Sequence, residues 1–173
     1  LDSLSFKHKV TFFVAVGNDG QKAGRERIQA PSDIVNGLGV GAFTISAGQP
    51  VVAPYSCRGP GRECGKMKPD LSAFGGCDNF PMHLVSTTVG KKVGHWGTSF
   101  ASPVAARLGA QAIEGVERSS SLLARALLIH SAKHPDGSPD HDLGHGCIPE
   151  SVDDLLLCDD GSVTVVFQGG DDR

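Results

Sequence analysis

A serine set between a glycine and a run of small residues is the part of this sequence best suited to chemistry. Gly97-Thr98-Ser99-Phe100-Ala101-Ser102-Pro103 is followed by Ala105, Ala106, Gly109, Ala110 and Ala112. The stretch reads as a helix from Ser99 to about Glu117. Pro103 falls within its first turn or so, where a missing N–H does least harm. A hydroxyl at a helix N-terminus lies at the positive end of the dipole, which favours the negative charge that develops in acyl transfer. The small residues allow that helix to pack closely and hold the hydroxyl rigidly. The competing reading is a plain N-cap, since Ser is a preferred capping residue.

A second group comes earlier. Val10-Thr11-Phe12-Phe13-Val14-Ala15-Val16 is an apolar run of β-branched and aromatic residues, as in a buried strand. It ends in Gly17-Asn18-Asp19-Gly20, which presents a carboxamide at the C-terminal end of the strand, where α/β sheets build their sites. Asn-Asp-Gly is also good turn chemistry, so Asn18 decides nothing by itself. Between these two segments lie Ser56-Cys57-Arg58-Gly59-Pro60 and Lys68-Pro69-Asp70-Leu71-Ser72-Ala73-Phe74-Gly75.

Taken in order, Ala15 to Gly20, Asn36-Gly37-Leu38-Gly39-Val40-Gly41-Ala42, Ser56 to Pro60, Lys68 to Asp70 and Gly97 to Pro103 resemble the subtilisin-like serine peptidases, the subtilases. The likeness spans roughly residues 10–148. It implies an α/β fold with a mostly parallel sheet and flanking helices, and a peptide or protein substrate. It implies Ser99 as nucleophile and Asn18 as the side-chain donor of the oxyanion hole. Gly17, Asp19, Gly97 and Thr98 would then border the substrate, and Asp19 would face the primary specificity pocket. There it would favour basic or small side chains, unless it only caps a turn. No organic cofactor is implied.

The family places an Asp and a His before its asparagine motif. Here Leu1 to Phe13 offer only Asp2 and His8, without the family's strand-end aspartate or its His-Gly-Thr. The expectation is one partial catalytic domain over 1–173, the C-terminal half of the full fold, with 169–173 a frayed tail. Phe74 stands where the family usually has proline. His95 is close to Ser99 in sequence, but the chain would have to fold back sharply for it to serve as base, so a structural role is expected. Two other classes compete with a peptidase: a non-catalytic peptide-binding module, and an interaction domain regulating a neighbouring ATPase or assembly factor.

At 173 residues and 39% apolar, the chain can fill one core. A net charge of −3 leaves no footprint for nucleic acid or an anionic membrane, and no apolar run is long enough to span a bilayer. Cys57, Cys64, Cys77, Cys147 and Cys158 form no dense framework; they read as reduced thiols of a cytoplasmic protein, although Cys57 and Cys64 would close a short loop under oxidising conditions.

Further elements are expected as strands at Leu38–Ile45, Met82–Thr88 and Val163–Phe167, with 49–77 a loop. A second helix, capped from Ser119-Ser120-Ser121, would carry Leu122, Leu123, Ala126, Leu127 and His130 on one face and end near His134, before Pro135. His130 and His134 have a zinc-like spacing, with His141, His145 and Cys147 beyond, but lack an intervening glutamate. The acidic residues Asp136, Asp140 and Asp142 do not fit the EF-hand pattern. The expectation for both is a surface loop leading into Gly144-His145-Gly146, with no metal. If flanking strands are missing, the 11–16 strand becomes an open edge, and self-association through it is expected.

Overall fold

The computed structural model describes residues 1–61, 67–117, 119–158 and 161–166. Its centre is β2 (Leu38–Ser46), whose first seven residues are all buried. β1 (Phe13–Ala15) and β4 (Leu71–Phe74) pair with it in parallel, and β3 (Gln49–Val52) antiparallel. Parallel strands covered on both faces tolerate continuous burial and small residues, which is why the glycine-rich Leu38-Gly39-Val40-Gly41-Ala42 can be central. A Cβ on Gly41 would lie 2.5 Å from Ser72 Oγ and 3.0 Å from Pro69. β5 (Met82–Val85) and β6 (Lys92–His95) form a separate hairpin.

The helix expected after the serine turn is α2 (Thr98–Gly115), which packs across β1, β2 and β4. Ala101, Ala105, Leu108 and Ala112 are its buried stripe. Ser102 Oγ donates to Phe13 O at 3.0 Å, tying the helix to β1. α3 (Ser121–Ser131) and α4 (Val152–Leu156) lie on the outer side of α2, and α1 (Asp2–His8) leads into the fold. Ser120 caps α3 by accepting from Leu123 N at 3.2 Å, as the serine cluster predicted. Leu108 is fully buried beneath these helices. Leu108→Ala is expected to destabilise by about 2–5 kcal/mol, read as a lower urea midpoint with unchanged slope.

Several expectations need correction. Residues 49–77 are not all loop. They hold β3, which pairs with β2 through a tight turn at Ala47 and Gly48 (φ 49° and 77°), and β4, only four residues long. Proline in β3 is tolerated because that strand has a neighbour on one side only. The strand expected over 10–16 is paired only at Phe13–Ala15. The α3 helix stops at Ser131, three residues early, because Lys133 leaves it to exchange backbone hydrogen bonds with Cys147 at 2.9 and 3.0 Å. Residues 163–166 form no strand: their valines are exposed, and no ladder partner lies beside them among the described residues. Phe167 and residues 169–173 lie outside the described residues.

Candidate active site

The Gly17–Gly20 turn follows directly on β1 and is held from one side by the 55–57 loop. Cys57 N donates to Gly17 O at 3.0 Å, and Gly20 N donates to Tyr55 O at 2.8 Å. The approach is so close that a Cβ on Gly20 would lie 2.2 Å from Ser56 O. Gly20 therefore has a steric reason to be glycine. The Ser56–Pro60 motif buckles the region further: Ala42 N donates to Ser56 Oγ at 3.1 Å, and Gly59 N to His141 O at 2.8 Å.

The serine turn arrives from the hairpin. Gly97 N donates to Gly75 O at 3.0 Å, so the end of β4 sets its position. Beside it, Tyr55 and Trp96 stack with centroids 4.6 Å apart, while Tyr55 OH donates to Gly76 O at 2.9 Å. Burial pushes the Tyr55 phenol well up, so it stays neutral. Gly97 has φ 152° and is the N-cap of α2, leaving Ser99 as the second helical residue rather than the cap. The plain-cap reading of Ser99 therefore fails.

The two segments meet. Thr98 N and Thr98 Oγ1 both donate to Asn18 Oδ1, each at 2.9 Å, and Gly17 N donates to Thr98 Oγ1 at 3.3 Å. A backbone N–H can only donate, so the atom facing Thr98 N must be the carboxamide oxygen. That fixes the orientation of Asn18 and turns its Nδ2 donor away from Thr98. Among the described residues Nδ2 has no hydrogen-bond partner, and it lies 3.2 Å from where a Cβ on Gly97 would stand. Ser99 N–H likewise donates to no described residue, as befits the first turn of a helix. Ser99 and Asn18 are exposed, whereas Thr98 is only 1% exposed. The arrangement offers two unpaired N–H donors and an exposed hydroxyl around one buried threonine.

Asp19, next to Asn18, is paired with Lys22 Nζ at 2.6 Å, and that hydrogen bond holds its carboxyl below the usual range. A cavity of about 280 Å³ opens at Gly17, Asn18 and Asp19 and continues past Arg25, Arg27, Gln29 and Cys57. Sequence reasoning missed these arginines, although Gly24-Arg25-Glu26-Arg27 follows the asparagine turn within a few residues. His95 stacks on Phe100, centroids 6.0 Å apart. Asp2 is engaged elsewhere, accepting from Val35 N at 2.8 Å and Asn36 N at 2.6 Å.

The early end of α3 leaves His130 and His134 on different elements. His130 Nε2 lies 3.3 Å from Thr164 Oγ1, and His134 Nε2 3.3 Å from Asp140. Burial pushes the Asp140 carboxyl up, but N–H groups of Leu143 and Asp142, with His134, outweigh it and lower it overall. Among the described residues no group of three or more His, Cys, Asp or Glu gathers as a metal site. No helix among them is long and apolar enough to cross a membrane.

The family model of the subtilases matches residues 2–146. The chain belongs to the subtilase family. Among solved structures it is similar to fervidolysin from Fervidobacterium pennivorans, a keratinolytic enzyme related to subtilisin, at 23% identity and TM-score 0.66, covering 88% of this chain and 23% of that one. It is similar to the S41 psychrophilic protease at 30% identity and TM-score 0.67, covering 84% and 50%. The PatG macrocyclase, solved in complex with peptide, aligns at 16% identity and TM-score 0.67, covering 89% and 45%. This subtilase chain thus spans half or less of those structures, which accords with part of a subtilisin-like α/β fold. No curated protein matches it.

Proposed function

We propose that the protein containing this chain is a serine endopeptidase in which Ser99 Oγ attacks the scissile carbonyl. The tetrahedral oxyanion is held by Asn18 Nδ2 and the Ser99 backbone N–H, with Gly17, Asp19, Gly97 and Thr98 bordering the substrate. The general base and its orienting carboxylate come from a part of the fold outside these 173 residues. The observation that carries this reading is the clasp of Thr98 on Asn18 Oδ1, which leaves the amide donor and the Ser99 N–H unpaired beside an exposed serine. The similarity to a macrocyclase solved with peptide supports a peptide or protein substrate. A cytoplasmic setting is part of this proposal; among the described residues Cys57, Cys77, Cys147 and Cys158 are free thiols, and Cys64, which would close a loop with Cys57, lies outside those residues. β1 lies at the end of its sheet with β2 as its paired neighbour, which supports pairing there with the rest of the fold or with a second copy of this chain.

Labelling of the full-length protein by a fluorophosphonate tests the reading, because it requires an activated serine. Modification at Ser99 supports it; an intact, folded protein that resists labelling favours the non-catalytic binding module. In an active protein, Asn18→Ala is expected to lower kcat about 10²- to 10³-fold with little change in KM, a magnitude measured for such a donor in a subtilisin. A change confined to KM would remove Asn18 from the oxyanion role.

A further inference from the structure

The cavity beside Asn18 carries a charge pattern that acyl transfer does not use. Among the described residues its lining holds one carboxylate, Asp19, which pairs with Lys22 at 2.6 Å, while Glu26 acts from outside the lining on Cys57. Two cations remain. Arg27 donates through Nη2 to the carbonyls of Pro60 at 3.1 Å and Gly61 at 3.3 Å, which fixes the side chain without neutralising it. The Arg25 guanidinium makes no ion pair and no side-chain hydrogen bond among the described residues; it acts on Asp19 through its charge alone, a smaller effect there than the Lys22 hydrogen bond. Gln29 is neutral, and so is Cys57, whose thiol burial pushes up.

On these grounds we propose that the cavity receives an acidic substrate side chain, Asp or Glu at the residue whose carbonyl is cleaved, with Arg25 as its ion-pair partner and Arg27 as a fixed second cation. The proposal rests on Asn18 and Ser99 forming the acyl-transfer centre, since that places the scissile residue at the cavity mouth. An unpaired Asp19 would select the opposite sign, basic or small side chains; Lys22, three residues on, offsets that charge and leaves the sign to Arg25 and Arg27. A guanidinium also matches a carboxylate in two-point geometry, which an ammonium does not.

The test uses the full-length protein and matched peptides bearing Asp, Glu, Lys or Phe before the cleaved bond. The acidic peptides are expected to show kcat/KM at least about tenfold above the Lys peptide, as for a hydrogen bond to a charged group, and Arg25→Glu to invert that ratio. Arg25 is exposed, so the exchange leaves the fold intact. The same peptides are bound to Ser99→Ala and followed by anisotropy, which reads the cavity without turnover. Equal values for acidic and basic peptides, a preference for Lys, or a ratio indifferent to Arg25→Glu overturns the proposal. Fluorophosphonate labelling without acidic preference sinks the cavity assignment alone. Acid-selective binding without labelling sinks acyl transfer and, with it, the assignment to a cleaved residue, leaving an acid-selective peptide-binding cavity. A folded protein that shows neither labelling nor acidic preference sinks both.

Discussion

Ser99→Ala in the full-length protein is expected to lower kcat for a peptide ester by about 10⁶-fold, the loss measured when a subtilisin loses its nucleophile. The residual rate over water would come from the oxyanion donors and from binding, so KM should change little. The side chain of Ser99 is exposed and makes no hydrogen bond among the described residues. Alanine is also the better helix former at that position. Stability should therefore hold within about 0.5 kcal/mol, as for surface substitutions generally, and lost activity could not be blamed on unfolding. Measuring kcat and the urea midpoint on one preparation separates the two effects. A variant that keeps turnover and merely unfolds sooner would reduce Ser99 to a structural residue of the turn.

Which features could be read in advance follows from how local their causes are. The α2 start is written in Gly97 and the small residues after it, and the α3 start in a single side-chain cap, Ser120. Both need only neighbouring residues. The position of Asn18 at a strand end was legible too, because an apolar run breaking into Gly-Asn-Asp-Gly has few other solutions. β4 was not legible, since four residues between prolines and glycines form a strand only when β2 supplies the partner. The end of α3 depends on Cys147, fourteen residues beyond Lys133 by sequence number, and Pro135 misdirected the boundary by pointing to a later stop. Val163, Val165 and Val166 show the reverse error: a β-type composition without a partner edge remains irregular and exposed. In the site, Asn18 and Ser99 were visible as residue types, but the role of Thr98 as clasp needed the two segments brought together across eighty positions.

The same non-local logic governs Lys68, whose side chain is only 3% exposed. It pairs with Asp70 and donates to Ile34 O at 2.7 Å, while Asp70 Oδ2 also accepts from Gly39 N at 2.6 Å. The pair thus ties the 68–70 turn to the start of β2, and through β4 to Gly75, which positions the serine turn. Lys68→Met keeps most of the aliphatic stem and removes the charge, stranding a nearly buried carboxylate. The expected loss is about 3–5 kcal/mol, because breaking one side of a buried pair leaves an uncompensated charge. The deficit should depend on pH. Burial already pushes the Asp70 carboxyl up from 3.8, with Lys68 and the Gly39 N–H pulling it back in part. Without the cation it rises further. A carboxyl raised on folding binds its proton more tightly in the folded state, so its contribution grows as pH falls through the folded pKa. Urea midpoints of the full-length variant should therefore lie furthest below wild type at neutral pH and approach it towards pH ~4. Adding Asp70→Asn, which removes the stranded charge and keeps an acceptor for Gly39 N–H, should recover most of the loss at pH 7. A deficit under about 1 kcal/mol, flat in pH, would mean that the pair is solvated and has the small worth of a surface ion pair.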